Sequence, residues 1–261
     1  MKLYKRAAAL ILTAATLLSL APPVSAEGDR VTISSAKEFY ALVQNCTRDV
    51  WSQGVTVELT ADLDLSGSDF QPIPIFQGTF HGNGHTIRGI TYDHKGSTLG
   101  LFRTLTESAV VEGLCVEGLL EPQGSASQLG LLAGENYGAI RSCSAKGTVS
   151  GQEDVGGLVG VNGETGRIEG SSSQVQISGV TNVGGIAGQN LGTLDRCINT
   201  GALNSDPDQE IPTSVGGVAG LSRGTIQSCS NSGEIGYQHL GYNVGGIVGL
   251  QSGSVLQCSN T

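Results

Sequence analysis

Short apolar blocks recur along most of the chain at nearly constant spacing. The block that begins at Val155 reads Val-Gly-Gly-Leu-Val-Gly, and close copies begin at Val183, Val215 and Val244. More divergent copies begin at Leu99 and Leu129, and the six start points are separated by 30, 26, 28, 32 and 29 residues. Self-similarity at a period of roughly 20–50 residues is typical of solenoids and other repeat architectures. The pattern therefore predicts a stack of similar turns.

Two further positions accompany each block. A second motif, such as Gly192-Thr-Leu-Asp-Arg-Cys197, supplies one apolar residue and a cysteine or serine. A third apolar position follows six residues after the cysteine position, at Val149, Ile177, Leu203 and Ile235. These short segments are rich in strand-forming residues, and no repeat contains a long helical pattern. We expect three short strands per turn, with a bend between Val155 and Leu158 because these two apolar residues do not alternate.

Each strand alone would bury little apolar surface, but turns stacked about 4.8 Å apart create a continuous thin core. The predicted fold is all-β, a right-handed parallel β-helix (β-solenoid) of about six to seven rungs. The handedness follows from the rule for parallel crossover connections. A β-propeller is the alternative, although its blades usually need four strands and about 40 or more residues.

The N-terminal part of the chain has a different pattern. Residues 1–26 combine a basic start, a short apolar run and small residues before Glu27, which predicts a cleaved signal peptide. Ser35 and Glu38 form a capping box at the start of a short helix whose apolar stripe includes Phe39 and Leu42. We expect residues 27–70 to form an N-terminal cap of helix and strand, and residues 71–261 to form the repeats.

Composition and charge narrow the choice of partners. Forty of the 261 residues are glycine, about twice the usual share, which suits the corners of a coil. Removal of the signal peptide would take away three cations and no acid, so the formal net charge of −9 becomes −12. Such a surface repels phosphate backbones, so nucleic acid is not an expected partner. We also expect no membrane insertion after signal cleavage.

Several segments resemble a known family. The run Asp62-Leu-Asp-Leu-Ser66 and the later run Phe76-Gln-Gly-Thr-Phe-His-Gly-Asn-Gly-His85 are similar to the entry segment of bacterial GLUG-repeat proteins. The Val-Gly-Gly blocks resemble the GLUG motif itself. The resemblance implies a secreted or surface β-solenoid, often an accessory region of adhesin-like proteins or of immunoglobulin A-specific metallopeptidases, without catalytic residues in the repeats. Ser171 in place of a cysteine and His81 in place of an aspartate depart from the family pattern.

The cysteines follow the repeat rather than a pairing pattern. Four of the six lie in one repeat column, which serine also enters, and this structural column comprises Cys143, Ser171, Cys197, Cys229 and Cys258. Small buried side chains stacked along the coil explain the column better than disulfides do. We therefore expect free thiols. Cys115 lies one residue beyond the column position, which Leu114 occupies, and should face the other way.

Candidate chemistry is sparse. The chain has no His-Glu-x-x-His motif, phosphate-binding loop or calcium-binding nonapeptide, so we expect no catalytic residue, no cofactor and no metal. Asp62 and Asp64 lie on one face of a predicted strand and could hold a cation. We expect instead that they are charges exposed to solvent, which require no bound ion. Two loops interrupt the repeat and are candidate ligand contacts through the side chains of Asp206, Asp208, Tyr237, His239 and Tyr242.

These observations favour an exported, non-enzymatic module for surface display, adhesion or binding, with a glycan or a protein of a host or neighbouring cell as partner. An inert spacer or fragment of a larger surface protein or metallopeptidase is one alternative. A polysaccharide-active β-helix enzyme is the other. Because the sequence ends within a repeat, we also expect either a truncated product or end-to-end self-association through the open last rung.

Overall fold

The computed structural model describes residues 29–48, 50–204, 213–236 and 243–261. The predicted signal peptide at 1–26 lies outside this part of the chain. The described residues form a parallel β-solenoid of about seven turns with one short helix near its start. The predicted fold class is confirmed, and every strand pair along the coil is parallel, as in β14 with β18 and β16 with β20.

The first turns contain the helix and the longest apolar side chains. Their elements are β1 (Arg30–Ile33), α1 (Ala36–Asn45), β2 (Thr56–Leu59), β3 (Leu63–Asp64), β4 (Ile73–Phe76), β5 (Thr79–His81), β6 (Thr86–Tyr92), β7 (Phe102–Leu105), β8 (Val110–Glu112) and β9 (Cys115–Leu120). Phe76, Phe80 and Phe102 pack against one another with ring centroids 5.4 to 6.2 Å apart.

The later turns repeat with greater regularity. Their strands are β10 (Ser127–Leu129), β11 (Ala133–Asn136), β12 (Ala139–Arg141), β13 (Ser144–Ser150), β14 (Glu153–Gly156), β15 (Val159–Asn162), β16 (Arg167–Glu169), β17 (Ser172–Ser178), β18 (Thr181–Gly184), β19 (Ala187–Asn190), β20 (Thr193–Asp195) and β21 (Ile198–Asn199). After them come β22 (Ser214–Gly216), β23 (Ala219–Ser222), β24 (Thr225–Gln227), β25 (Ser230–Asn231), β26 (Asn243–Gly245), β27 (Val248–Gln251), β28 (Ser254–Leu256) and β29 (Ser259–Asn260).

These strands form four sheets, numbered here in the order in which the chain visits them within a turn. In the described residues, sheet 1 has five strands from β10 to β26, and sheet 2 has seven from β4 to β27. Sheet 3 has nine strands from β1 to β28, and sheet 4 has eight from β3 to β29. The turn of residues 153–178, for example, contributes β14, β15, β16 and β17 to sheets 1, 2, 3 and 4.

The prediction of three strands per turn is wrong, because a regular turn has four. The predicted bend between Val155 and Leu158 is confirmed, and it is the corner that divides the Val-Gly-Gly block between sheets 1 and 2. Both side chains point into the core and are fully buried. The corner requires glycine, since a Cβ on Gly185 in the next turn would overlap the carbonyl oxygen of Gly217 and the carboxamide of Asn199.

The predicted inner columns form the core. Ile140, Ile168, Leu194 and Ile226 stack in sheet 3 and are fully buried. The third predicted column pairs in register from Val149 through Ile177 and Leu203 to Ile235. Because every turn offers the same apolar positions, each turn covers its neighbours and the core runs without a break along the axis.

The N-terminal helix is built as its sequence predicts. Ser35 is the N-cap, and its hydroxyl accepts a hydrogen bond from the backbone N–H of Glu38, while the Glu38 carboxylate accepts one from the N–H of Ser34. The helix buries Phe39, Leu42 and Val43. Strands β1 and β2 on either side of it are the first two strands of sheet 3, so the sheet of the repeats continues into this segment.

Buried amide side chains form ladders along the axis. In sheet 2 the Asn136 amide donates to Asn162 and the Asn162 amide donates to Asn190, each at 2.8 Å. All three side chains are fully buried. A second ladder runs from Asn199 to Asn231 at 2.8 Å and on to Asn260 at 2.7 Å. Each buried amide of the two ladders thereby has a hydrogen-bond partner, whereas an unpaired amide in the core would be costly.

Candidate functional site

The five predicted ligand contacts in the loops lie outside the described residues. These are Asp206, Asp208, Tyr237, His239 and Tyr242. The described residues on either side of the two loops belong to sheets 4 and 1. Leu203 and Ile235 make successive bridges in line with sheet 4, and β22 and β26 pair in sheet 1. The described residues that flank the two segments therefore lie at the same corner of consecutive turns.

The structural column of cysteine and serine lies at the corner between sheets 3 and 4. Cys143, Ser171, Cys197 and Cys229 are buried, whereas Cys258 on the last turn is half-buried. All six cysteines are free, which confirms the prediction of free thiols. Cys115 is half-buried and begins β9, in register with Ser144 on the outer face of sheet 4.

The column also makes hydrogen bonds, which its apolar surroundings did not reveal. The backbone N–H of Cys143 donates to the Ser171 hydroxyl at 3.1 Å, and the N–H of Cys197 donates to the Cys229 sulfur at 3.3 Å. The side chains of Ser171 and Cys229 thus each cap a backbone N–H of the preceding turn. Burial raises the pKa of the Cys143 thiol to about 12. Such a thiol is not ionised at neutral pH, and thiolate chemistry is not expected of it.

A second column, on the outer face of sheet 3, carries charge. His81, Glu112, Arg141, Glu169 and Asp195 are consecutive register partners in β5, β8, β12, β16 and β20. The His81 Nδ1 lies 2.7 Å from a Glu112 carboxylate oxygen, and the Arg141 Nε lies 3.6 Å from Glu169. The Asp195 carboxylate pairs instead with Arg196 at 2.8 Å. We call His81, Glu112 and Arg141 the charged ladder.

A cleft of about 370 Å³ opens beside the charged ladder, at the corner where sheet 3 turns toward sheet 4. Its lining consists of the three ladder residues with Asn83, Gly113 and Ser142. Gly113 and Ser142 occupy the same corner position in successive turns and have left-handed φ values of 62° and 50°. Neither carries a long side chain, so the corner stays open beside the ladder. We call this space the corner cleft.

A second cleft of about 360 Å³ lies on the outer face of sheet 4. Its polar lining includes Thr86, Glu117, Lys146 and Gln174 from successive turns. Cys115 and Ser144, which also line it, follow the corner cleft by two residues in the chain. The two clefts therefore adjoin across one corner of the solenoid and form a polar surface over the turns from β5 to β17.

The aspartates that could have held a cation have protein partners. An Asp62 oxygen accepts a hydrogen bond from the N–H of Thr86 at 3.0 Å and lies 3.2 Å from the His85 Nδ1. Asp64 pairs with Arg88 at 3.1 Å. Hydrogen bonds from Ser66 and Arg88 lower the pKa of Asp64 to about 2. In the described part of the chain, no three histidine, cysteine or acidic side chains are grouped to hold a metal ion.

Sequence reasoning missed the charged ladder. Its members stand two residues before the corner-column position, as in Glu112-Gly-Leu114 and Arg141-Ser-Cys143, and this spacing can be read in the sequence. The residue type at this position changes from turn to turn, however, so the sequence alone does not identify the position as a column. In register, Arg141 is followed by the acidic residues Glu169 and Asp195, so neither residue type nor sign of charge is kept along the column.

The fold and this surface define a class of protein. It is a parallel β-solenoid whose inner side-chain columns are buried and whose outer columns carry polar side chains of mixed type. Within that class the chain carries GLUG motif repeats, since residues 125–150 and 151–178 match the model of the GLUG motif. The resemblance found in the sequence is therefore confirmed. The two matched segments correspond to the turns that hold β10 to β13 and β14 to β17.

Three known proteins share parts of this chain or its fold. Halomucin of Haloquadratum walsbyi is 36% identical over 119 residues, which are 39% of this chain and 1% of halomucin. A "Putative Gly-rich membrane protein" of Evansella cellulosilytica is 33% identical over 96 residues, 34% of this chain and 11% of that protein. The chain thus spans only a small part of the length of these relatives.

The third is a crystal structure of a "putative immunoglobulin A1 protease" from Bacteroides ovatus. It superimposes with a TM-score of 0.67 and 21% identity over 87% of this chain and 74% of that one. At this identity the similarity establishes the fold alone. Within the described residues, no helix combines the length and the apolar character needed to cross a bilayer.

Proposed function

We propose that this chain is an exported, non-enzymatic repeat module that displays a binding surface at the cell exterior. The observation that carries the proposal is the pair of adjoining clefts over sheets 3 and 4, where polar side chains from successive turns are held in fixed register. A rigid scaffold that presents ordered polar groups outward is suited to recognition.

Export and surface location rest on the sequence and on the relatives. Residues 1–26 have the pattern of a signal peptide. One relative bears the name of a membrane protein, and another is a halomucin. These similarities cover parts of the chain only, so the cell exterior as its place of action is a proposal that fractionation of the producing cells would test.

A non-enzymatic role is supported by how the reactive groups are held. Burial raises the pKa of Cys143, and Cys197 is also fully buried with a raised pKa, chiefly through its hydrogen bond with Cys229. The paired carboxylates of Asp62 and Asp64 already have partners. Acids and bases that act on a substrate must instead converge on it within hydrogen-bond reach.

A binding screen tests the proposal. The chain without residues 1–26 is expected to bind members of a glycan array or intact cells, and Lys146→Glu, which alters the cleft on the outer face of sheet 4, is expected to bind less. A matched control is Arg223→Glu, which alters an exposed residue remote from both clefts. Retention of all binding by variants in both clefts would contradict the proposed surface.

An inert spacer is the second candidate, favoured by the regularity of the stack. The four-strand turn recurs with little change from β10 to β29, and a structure of this kind sets a distance whether or not it binds anything. A chain that binds no glycan and no cell in the screen would support the spacer over the binding module.

A further inference from the structure

We infer that the corner cleft is a binding subsite for a neutral oligosaccharide whose chain runs along the solenoid axis, with successive sugars facing successive turns. This inference rests on the proposed function and adds to it a ligand class, an orientation and a set of contact residues.

Side chains that line the cleft are held in place by neighbouring residues and keep a hydrogen-bonding atom that is available to a ligand. The Nδ1 of His81 is engaged by Glu112 at 2.7 Å, which fixes the ring and leaves its Nε2 as the other bonding atom. The Asn83 amide nitrogen donates to Glu58 and to the Leu59 carbonyl, each at 3.0 Å, which leaves its amide oxygen as an acceptor. Their neighbours hold these side chains, so little conformational entropy would be lost on binding.

The exposure of the ladder side chains is intermediate. His81 is 30% exposed, Glu112 is 41% exposed and Arg141 is 46% exposed. Each is therefore packed along one side and open to a ligand along the other. The Nε of Arg141 faces Glu169 at 3.6 Å, so the terminal nitrogens of the guanidinium remain as donors. Ser142 adds a hydroxyl that bonds to no other side chain or carbonyl among the described residues.

The balance of charge and polarity selects the chemistry of the ligand. The lining contains one carboxylate and one guanidinium, so it has no surplus of positive charge for a phosphate or a polyanion. It has no apolar side chain for a lipid or an aromatic ring. Planar carboxylate and guanidinium groups can each make two parallel hydrogen bonds, which matches adjacent hydroxyl groups of a sugar.

The spacing of the ladder favours a sugar chain over a peptide. His81, Glu112 and Arg141 belong to adjacent strands of one sheet, and adjacent strands lie about 4.8 Å apart. A pyranose ring in a linear chain has a similar length. An extended peptide advances about 3.3 Å per residue, so its side chains on one face recur about every 6.6 Å and would fall out of step with the ladder.

The test uses the chain without residues 1–26 and a panel of neutral linear oligosaccharides: cellohexaose, mannohexaose and laminarihexaose, with their shorter members. Binding is followed through the backbone amide NMR signals of Asn83, Gly113 and Ser142. We expect at least one series to shift these signals, with affinity that rises from one sugar to three and then levels off. Glu112→Gln and Arg141→Ala should each weaken this binding about tenfold or more.

Arg223→Ala is the matched control, because it also removes an exposed arginine but lies outside both clefts. It is expected to bind as the unaltered chain does, and thermal melting of all variants checks that they remain folded. Equal affinities for Arg141→Ala and Arg223→Ala would overturn the inference. So would amide shifts at the cleft that appear only with tri-galacturonate or with an extended peptide.

The outcomes separate this inference from the proposed function. If the chain binds glycans or cells but the three amide signals do not move, the corner cleft is not the subsite and the binding module stands. If the chain binds nothing in any assay, both the module and the subsite are wrong.

Discussion

At the residue scale, a single side-chain atom decides which residues fit the corner column. The corner column accepts cysteine and serine because both have a γ atom that can bond to the backbone of the turn before. A left-handed backbone precedes this column in turn after turn, at Ser142 (φ 50°), Gly170 (φ 55°), Arg196 (φ 51°) and Ser228 (φ 52°). Most of these are not glycine, so the fold accepts some backbone strain at this corner.

Replacement of Cys229 tests the role of the γ atom. Cys229→Ala should lower the free energy of unfolding by about 1–2 kcal/mol, because it leaves a small cavity and an unpaired N–H at Cys197. Cys229→Ser should cost less than half of that, since Ser171 fills the same position in another turn. Urea denaturation of the two variants gives both values. A serine variant less stable than the alanine variant would refute the capping role.

Asp154 gives a prediction that depends on pH. Burial raises the pKa of this carboxyl, which accepts a hydrogen bond from the Asn182 amide at 2.8 Å. A group with a raised folded pKa adds stability below its unfolded pKa of 3.8 and loses that contribution as pH rises through the folded value. The contribution of Asp154 to the free energy of unfolding should therefore fall as pH rises above about 4.

Asp154→Asn removes the buried charge and keeps an oxygen for Asn182 to donate to. It also suits the left-handed backbone of Asp154 (φ 53°), since the amide residues Gln128 (φ 60°) and Asn182 (φ 53°) have left-handed φ values in the neighbouring turns. The variant should be more stable than the unaltered chain at pH 7, by up to about 1 kcal/mol, and no more stable at pH 3. Thermal melting across this range is the measurement, with Glu164→Gln as an exposed control. A gain that is equal at both pH values would contradict the burial argument.

At the element scale, the corners define the strands. The Val-Gly-Gly block looks like one strand in the sequence but is divided, because both Val155 and Leu158 must point into the core. Glycine permits this corner by letting the backbones of successive turns approach closely. Its recurrence in turn after turn fits a structural requirement of the coil, whereas a ligand loop would be needed only once.

Gly185→Ala tests this requirement. A methyl group there would meet the Gly217 carbonyl and the Asn199 carboxamide, which are held by the next turn. The free energy of unfolding should fall by more than about 2 kcal/mol, as in overpacked cores. Gly124→Ala is the control, since its φ of 84° is strained for alanine but its Cβ would meet open space, and it should cost only about 1 kcal/mol. Equal losses of unfolding free energy in the two variants would show that backbone strain, and not steric overlap of the added methyl group, causes the destabilisation.

At the scale of the whole molecule, each turn of the solenoid is stabilised by the turns that stack on either side of it along the axis. The strands of the last described turn, β26 to β29, stand at the edges of their sheets and pair on one side only. Val244 in this turn is 44% exposed, while its register partner Val215 in the turn before is buried. In such a linear array the outermost unit has the fewest stabilising neighbours.

Hydrogen exchange should therefore reveal a gradient. Backbone amides of residues 243–261 should exchange at least about tenfold faster than those of residues 153–178, because opening an edge turn breaks contacts on one side only. Amide exchange followed by mass spectrometry measures this at low protein concentration. Slower exchange of the last turn as the concentration rises would support end-to-end self-association. Uniform protection at every concentration would contradict the gradient.

The sequence alone determined the repeat period, the inner columns, the parallel coil, the N-cap at Ser35 and the free thiols. These follow from local rules, because a core residue must recur at the same place in each turn to be covered by its neighbours. Ile140, Ile168 and Leu194 could therefore be aligned from the chain alone and are found in register.

Only the tertiary structure decided the number of strands per turn and the neighbours on the outer face. Two apolar residues three positions apart can lie on one bent strand or on two separate strands. Which of these occurs depends on how closely the backbone of the next turn approaches, and at Gly185 the carbonyl group of Gly217 is very close. The charged ladder consists of three different residue types, His81, Glu112 and Arg141. An outer column faces solvent, so different hydrophilic side chains can fill it and no residue type needs to recur. Their juxtaposition arises from the register of β5, β8 and β12, and that register is set by the apolar residues on the opposite face of the same strands.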